Sequence, residues 1–348
     1  MADNRYDLNV VLAEYPRDCR PIGADPAPIV GGFSGSKIWR LETARGPLCL
    51  RRWPIEHPTA SRLGWIHDLL ATTAKHGFAL VPLPIPAQSG ETFVDHGSHL
   101  WELTPWLPGE PDRGRTPRGL TPARRVQAAM MSLAEFHRAV TAIPENESIR
   151  GPAIGIFSRL AQLDRLQAGG FEQLRRAIEA NSWKWQELAE RSVAVLRDFT
   201  QAAESVVGSA RATSGAEVLN RPCIRDIHRE HVLFSENEVI GLIDFGAMQV
   251  DNVACDIARL MGSMAHDDDQ LWQLGLSAYE SVHPLSADER VLVRAYDESG
   301  VLLSGINWLR WFFIEDRQFD NPVAVLKRFD EITCRLANLV SRKPRQTV

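Results

Sequence analysis

The amino-acid sequence predicts an α+β protein of two lobes, with a small antiparallel sheet in the N-terminal lobe and a larger, mostly helical C-terminal lobe. The pattern from about Pro28 to Leu103 is rich in predicted strands, and helical periodicity dominates the rest of the chain. The length of 348 residues exceeds what one hydrophobic core normally covers, so the two patterns are assigned to separate lobes.

The composition is that of an ordinary globular protein and argues against several classes of partner. Hydrophobic residues make up 44% of the chain, and 39 Lys and Arg against 44 Asp and Glu give a net charge of −5. There is no long basic run and no long apolar segment, so neither nucleic acid nor a membrane is expected as a partner. The five cysteines are scattered and never form a CxxC pair, which predicts a reducing, cytoplasmic location. Oligomeric state is left open.

Short strands and one helix are predicted for the N-terminal lobe, residues 1–103. Lys37 to Thr43 alternates in polarity, and Leu48 to Trp53 returns as a second strand after a turn. A helix is expected from Thr59 to Lys75, because Thr59 is a good N-cap and apolar residues then recur at helical spacing. A hairpin over residues 92–103 completes this lobe.

Residues 104–111, TPWLPGEP, are predicted to be a hinge, because three prolines and a glycine favour turns. The C-terminal lobe, residues 112–348, opens with a helix at Thr121-Pro122, an N-cap followed by proline at the first helical position. Helices are predicted from Arg159 to Ala180 and from Trp183 to Val207. They are interpreted as an inserted pair, residues 159–207, that forms a wall of the substrate pocket. A hairpin at 232–243 and further helices follow.

The segment Ile224 to Phe234, IRDIHREHVLF, is followed ten residues later by the triplet Asp244-Phe245-Gly246. Together they have the pattern of the catalytic end of an ATP-dependent phosphotransferase. In that pattern one aspartate meets the acceptor hydroxyl, while a residue five positions later and the aspartate of the triplet hold Mg²⁺ against the nucleotide phosphates. Asp226, His231 and Asp244 occupy these places, which predicts a catalytic loop at 224–234 and a metal motif at 244–246. The alternative is that the two aspartates only cap turns.

His231 departs from the pattern, which has asparagine at this position. Three interpretations are open: His231 replaces the asparagine as a metal ligand, which would make Mn²⁺ an alternative to Mg²⁺; it orients a ligand without touching the metal; or it packs without a metal role. Ile224 also stands where the pattern has histidine. These departures bear on metal identity and on activity.

A glycine-rich segment, GGFSGS, precedes the first strand and predicts a phosphate-binding loop, because glycine lets backbone amides approach phosphates closely. Its candidate residues are Gly32, Ser34 and Gly35, and the alternative is a simple turn. Arg51 emerges from the next strand, where a cation would pair with nucleotide phosphates through a bidentate fork. The alternative for Arg51 is a surface arginine on an edge strand. Glu102, just before the predicted hinge, completes the cofactor-binding set.

With these motifs, the chain resembles the aminoglycoside phosphotransferase and choline/homoserine kinase-like family. That family shows HGDLHPGNVLF, an IDxxxx stretch and a DLARL-like helix, for which this chain has IRDIHREHVLF, IDFGAM and DIARL. The resemblance implies a bilobal protein-kinase-like fold, ATP and Mg²⁺ as cofactors, and a small hydroxyl acceptor of aminoglycoside, choline or homoserine type. It assigns catalysis to Asp226, metal binding to Asp244 and phosphate binding to Arg51.

Two alternatives to a small-molecule kinase are considered. The first is a pseudokinase-like regulatory domain that binds nucleotide without turnover, because His231 replaces asparagine and the helix predicted at 59–75 offers only Asp68, not a glutamate, to pair with Arg51. The second and weaker one is a metallohydrolase built on the HxxH pair His228 and His231. Asp256, in the string DIARL, is predicted to anchor the catalytic loop by accepting its hydrogen bonds; the alternative is a cap at the N-terminus of a helix.

Overall fold

The computed structural model describes residues 2–22, 28–29, 35–112, 121–143, 148–236, 238–319 and 321–341 of the chain. Two compact units divide the chain: Met1–Asn146 with Arg229–Met248, and Glu147–His228 with Gln249–Val348. The functional division into residues 1–103, 104–111 and 112–348 stays a prediction. No helix among the described residues has the length and apolar character needed to cross a membrane.

Helices dominate the described part of the chain after residue 121, as predicted. They are α1 (Ala2–Ala13), α2 (Ala60–Lys75), α3 (Pro122–Thr141), α4 (Ile154–Arg165), α5 (Phe171–Asn181), α6 (Gln186–Thr213), α7 (Ala254–Met264), α8 (Asp269–Glu280), α9 (Ala287–Phe313) and α10 (Pro322–Ser341). The strands are β1 (Lys37–Thr43), β2 (Gly46–Arg52), β3 (Val94–His96), β4 (His99–Pro105), β5 (Glu110–Pro111), β6 (Ile149–Gly151), β7 (Val218–Cys223), β8 (Val232–Ser235), β9 (Glu238–Leu242) and β10 (Gln249–Asp251).

The first unit is built on an antiparallel sheet of strand order β1-β2-β4-β3. Trp39 of β1 and Trp101 of β4 stack with ring centroids 5.5 Å apart, and apolar residues of α1 join the same core. The register of β2 against β4 places Arg51 opposite Glu102. Because directly opposed residues project from the same face of a sheet, this register makes the two side chains neighbours.

Both predicted N-caps are present in this unit. The side-chain oxygens of Thr59 and Thr121 accept hydrogen bonds from the backbone N–H groups of Arg62 and Arg124, each at 3.3 Å. Pro122 occupies the first turn of α3, where its missing N–H has no intrahelical role. Local sequence chemistry therefore sets where α2 and α3 begin.

A second sheet of the first unit has the order β5-β8-β9, and β8 and β9 form the hairpin predicted at 232–243. The hinge segment contains more strand than its prolines indicate. β4 continues through Pro105, and Glu110 and Pro111 pair with Phe234 and Leu233. Proline is tolerated here because β5 is an edge strand, where a missing N–H breaks no ladder.

The second unit contains helices α4 to α10 and a sheet of order β10-β7-β6. The single helix predicted at 159–180 is wrong, because α4 and α5 are separated by a π-helical turn at Leu166–Gly170. Gly169 has a φ of +121° there, a conformation that side chains rarely adopt and that interrupts the α-helix. The next helix, α6, extends past the predicted end to Thr213.

Candidate active site

Arg51 of β2 is held by two carboxylates within the first unit. Its Nη1 donates to Asp244 Oδ1 at 2.8 Å, and its Nε lies 3.6 Å from Glu102 Oε1. The guanidinium also lies over the ring of Trp53, 4.6 Å from the ring centroid. The Arg51 side chain is 12% exposed, and β2 lies between two other strands, so the alternative of a surface arginine on an edge strand is wrong.

Glu102 supplies the carboxylate partner of Arg51 that the sequence of α2 does not contain. Its second oxygen, Oε2, lies 2.8 Å from Nε2 of His67, and Nδ1 of His67 lies 2.7 Å from Thr92 Oγ1. The helix α2 therefore contributes a histidine to this cluster, while the acidic partner of Arg51 comes from β4. Asp68, the one acid of the helix noted from the sequence, is exposed. A direct contact of Glu102 with a cofactor stays a prediction.

Asp244 lies between two basic side chains. Oδ1 accepts the hydrogen bond of Arg51, and Oδ2 lies 3.4 Å from Nε2 of His231. Burial raises the pKa of the Asp244 carboxyl, but the interactions with Arg51 and then His231 outweigh burial and hold its pKa below the usual value. The backbone of Asp244 also has a φ of +67°, which is uncommon for residues other than glycine. Such strained conformations are frequent at functional sites.

The donor set of Asp244 and His231 fits a divalent cation. Two ligand atoms about 2.1 Å from a common ion lie roughly 3.0 to 3.4 Å apart, and the distance between Oδ2 and Nε2 is 3.4 Å. A carboxylate oxygen suits Mg²⁺, whereas an imidazole nitrogen suits Mn²⁺ and other transition metals better. Their roles as metal ligands stay predictions.

The glycine of the DFG triplet is required by its neighbour Trp53. A Cβ atom at Gly246 would lie 2.5 Å from the Trp53 ring, closer than any real contact. The preceding residue, Phe245, packs against Phe136 of α3 with ring centroids 5.8 Å apart. A larger residue at position 246 would displace the Trp53 ring, over which the Arg51 guanidinium lies.

The segment that carries Asp226 belongs to the second unit and is anchored by a fully buried carboxylate. Asp256 of α7 accepts hydrogen bonds from the backbone N–H groups of Ile224 and Arg225, at 2.7 and 2.6 Å. Arg225 has a φ of +65°, so this anchor holds an unfavourable backbone conformation immediately before Asp226. The predicted anchoring role of Asp256 is confirmed.

Asp226 itself forms an ion pair that the sequence did not reveal. Oδ1 accepts a hydrogen bond from Nη2 of Arg259, and the two side chains are 43% and 40% exposed. Arg259 follows Asp256 by three residues on α7, so both lie on one face of that helix. The string DIARL could have indicated this contact, because a residue three positions after Asp256 lies on the same helix face. That inference depends on Asp256 first being placed at the segment that carries Asp226. An accessible carboxylate is suited to accept a hydrogen bond from a hydroxyl group.

The predicted phosphate loop is described only at its end. Gly32 and Ser34 lie outside the described residues, and Gly35 is exposed with a φ of +76° just before β1. Glycine adopts this backbone conformation without strain. Phosphate binding by these three residues stays a prediction.

A family model identifies the class of protein that this architecture belongs to. The model of the phosphotransferase enzyme family, APH, matches residues 25–291. The chain belongs to this family, so the predicted resemblance and the predicted class of enzyme, a small-molecule kinase, are confirmed.

Solved structures of phosphotransferases share the fold. An aminoglycoside phosphotransferase from Alicyclobacillus acidocaldarius is 16% identical, with 96% of this chain and 95% of that chain covered and a TM-score of 0.56. Spectinomycin phosphotransferase, solved with ADP and spectinomycin, is 10% identical, with coverages of 97% and 98% and a TM-score of 0.65. An amicoumacin kinase, solved with AMP-PNP, Ca²⁺ and Ami, is 11% identical, with coverages of 97% and 95% and a TM-score of 0.64. These structures confirm the predicted α+β, protein-kinase-like fold class.

Proposed function

We propose that this protein moves the γ-phosphoryl group of ATP to a hydroxyl group of a small molecule, an acceptor of aminoglycoside, choline or homoserine type. The observation that carries the proposal is the contact of Arg51 with Glu102 and Asp244, which brings together a cation able to bind phosphate and a carboxylate able to bind a metal. The nucleotides solved with spectinomycin phosphotransferase and with amicoumacin kinase support it, as do their small-molecule substrates.

Phosphoryl transfer requires positioned phosphates and neutralised charge more than covalent help from the protein. Arg51 has the planar fork that binds phosphate oxygens, and Glu102 behind it fixes the orientation of that fork. Asp244 and His231 would hold a divalent ion, Mg²⁺ or Mn²⁺, which supplies charge neutralisation at the phosphates when bound. Binding of phosphate to Arg51 would free Asp244 Oδ1 for the metal.

Asp226 takes the remaining role, at the acceptor. Its carboxylate accepts a hydrogen bond from the attacking hydroxyl group and receives the proton as the new oxygen–phosphorus bond forms, while the bond from the γ-phosphorus to the bridging oxygen breaks and ADP leaves. Asp256 fixes the backbone before Asp226, and Arg259 binds the Asp226 carboxylate, so both orient the group assigned to the hydroxyl.

One of the two observations that favour the pseudokinase alternative has another explanation. The alternative was suggested by the missing helix glutamate and by His231, and Glu102 now provides the missing carboxylate to Arg51. The direct test is ADP release with a panel of hydroxyl acceptors: release should require Mg²⁺ or Mn²⁺ and should stop when EDTA removes the metal. Stabilisation of the protein by ATP with no product from any acceptor would contradict the proposal.

Metal preference tests the role of His231. If Nε2 binds the metal, the ratio of activity with Mn²⁺ to activity with Mg²⁺ should fall by about tenfold in His231→Asn, because an amide oxygen suits Mg²⁺ better than an imidazole nitrogen does. His76→Asn, which changes an exposed histidine at the end of α2, should leave the ratio unchanged. An unaltered ratio in His231→Asn would exclude metal binding by His231.

Glu102→Gln should reduce kcat/KM for ATP by about tenfold, because a charge-assisted interaction contributes roughly 1.5 to 3 kcal/mol and Arg51 would lose one of its two carboxylates. The measurement is the initial rate of ADP release over a range of ATP concentrations. Glu42→Gln is the matched control, since Glu42 lies on the same sheet and pairs with Arg40 at 3.0 Å, but its side chain is 63% exposed. Equal effects of the two substitutions would refute a specific role for Glu102.

A further inference from the structure

A small cavity in the second unit lies beside the catalytic aspartate. Its volume is about 100 Å³, and its walls come from α4, α7, α9, α10 and His228, which follows Asp226 by two residues. Arg259, the partner of Asp226, forms part of the wall. A ligand group in this cavity would therefore be separated from the catalytic carboxylate by one guanidinium.

Four arginines line the cavity, and three of them have carboxylate partners. The pairs are Arg335 with Asp297 at 2.9 Å, Arg328 with Glu331 at 3.1 Å, and Arg259 with Asp226. The fourth is Arg159 of α4. In the part of the chain that the structure describes, no carboxylate lies within ion-pair distance of its guanidinium.

The direct contacts of Arg159 are with neutral groups, and the charges of Asp251 and Arg259 act on it without an ion pair. Its Nη1 donates to the carbonyl of Tyr296 and to Ser299 Oγ, the latter at 2.8 Å, and its guanidinium lies 4.7 Å from the centroid of the Tyr296 ring. Burial lowers the pKa of Arg159; Tyr296, Cys255 and Asp251 offset only part of this effect, and repulsion by Arg259 lowers the pKa further. Two guanidinium groups that repel each other at one cavity are stabilised by an anion between them.

The acidic side chains of the cavity do not suit a cationic acceptor. Asp297 and Glu331 are the carboxylates in its wall, and each already binds an arginine. A polycation would have to break these pairs and would also meet the charge of Arg159. An anion needs no such rearrangement, because it supplies the direct ion-pair partner that Arg159 does not have among the described residues.

We propose that this cavity binds an anionic group of the acceptor, a carboxylate or a phosphate, between Arg159 and Arg259. The acceptor is then a hydroxylated acid, which excludes the cationic aminoglycoside and choline types from the acceptors proposed above and rests on the proposed phosphotransfer. The described hydrogen bond of Arg259 uses Nη2, and a guanidinium has five N–H donors, so Arg259 can bind a second oxyanion while it holds Asp226. The hydroxyl group to be phosphorylated lies a few bonds from the anion, at the Asp226 carboxylate.

The first experiment compares matched acceptors with the unmodified protein. ADP release is measured with glycerol, glycerate, glycerol 3-phosphate and choline, at fixed ATP and Mg²⁺. We expect kcat/KM for glycerate or glycerol 3-phosphate to exceed that for glycerol and choline by at least about tenfold, the gain typical of a charge-assisted hydrogen bond. The better of the two acids shows whether carboxylate or phosphate is preferred. Equal or better use of glycerol or choline would overturn the anionic acceptor and leave phosphotransfer itself intact.

The second experiment changes the cavity. Arg159→Met should raise KM for the preferred acid by about ten- to a hundredfold, Arg159→Lys should have a smaller effect because it keeps the charge, and KM for ATP should stay the same in both. Arg176→Met, which removes an exposed arginine of α5 paired with Glu172, is the control and should change neither constant. If Arg159→Met folds and its KM for the acid is unchanged, Arg159 only stabilises the packing of α4 against α9 through Tyr296 and Ser299.

Binding gives a readout that does not depend on turnover. Glycerate and glycerol 3-phosphate should raise the Tm of the wild-type protein, and Arg159→Met should abolish the shift while Arg176→Met preserves it. If no acceptor gives ADP, the proposed function fails, and this Tm shift alone decides whether the cavity binds anions. No shift with either acid in the wild type would overturn the inference, whether or not Arg159→Met folds.

Discussion

Replacement of Asp226 by asparagine should lower kcat for acceptor phosphorylation by about 10²- to 10⁴-fold, the usual contribution of a positioned general base. Asparagine keeps the size of the side chain and can still accept the hydrogen bond of Arg259. It cannot take up the proton of the attacking hydroxyl group, so the loss should fall on the chemical step. The measurement is ADP release together with mass spectrometry of the phosphorylated acceptor.

Asp164→Asn is the matched control for this substitution. Asp164 also lies in the second unit and binds an arginine, Arg211, at 2.9 Å, but it belongs to α4 and its side chain is 54% exposed. We expect normal turnover in this control and an unchanged KM for ATP in Asp226→Asn. Normal turnover in Asp226→Asn would refute the assignment of Asp226 as the catalytic residue.

Asp244→Asn should reduce kcat/KM for ATP by at least about 10²-fold, because charge stabilisation at the transferring group is usually the largest catalytic contribution. The substitution removes the negative charge shared by Arg51 and the proposed metal. The apparent affinity for Mg²⁺ should therefore fall in the same experiment. It is measured as the rate of ADP release over a range of Mg²⁺ concentrations.

Nucleotide binding separates the two aspartates. ATP with Mg²⁺ should raise the Tm of Asp226→Asn as much as that of the wild type, because the role proposed for Asp226 is at the acceptor and not at the nucleotide. The same mixture should give a much smaller shift in Asp244→Asn. If Asp244→Asn kept the wild-type dependence on Mg²⁺, Asp244 would not be a metal ligand.

Much of the fold could be predicted from the sequence, because its signals are local. Lys37 to Thr43 alternates in polarity and forms β1 with the predicted bounds. Thr59 and Thr121 cap α2 and α3 because an N-cap needs only its own side chain and the next turn. The helix α1 was not predicted, since its apolar residues gain stability from the core of the sheet rather than from local propensity.

The sequence predicted the motif residues of the candidate site, but not the contacts that Glu102 and Arg259 make with them. The spacing of Asp226, His231 and Asp244 is a property of the chain, and the catalytic and metal-binding roles assigned to them stay predictions. The interruption at Gly169 was missed because a single glycine inside a helical pattern does not by itself reveal a positive φ.

The sequence alone determined the class of protein, through residues whose chemistry depends on short spacings. Only the tertiary structure decided which charges meet: Glu102 reaches Arg51 through the register of two strands, and Arg259 reaches Asp226 from a helix more than thirty residues later. It also places no carboxylate of the described residues within ion-pair distance of Arg159. Ion pairs act over a few ångströms in space, and such distances between residues far apart in the chain are fixed by packing, not by sequence spacing.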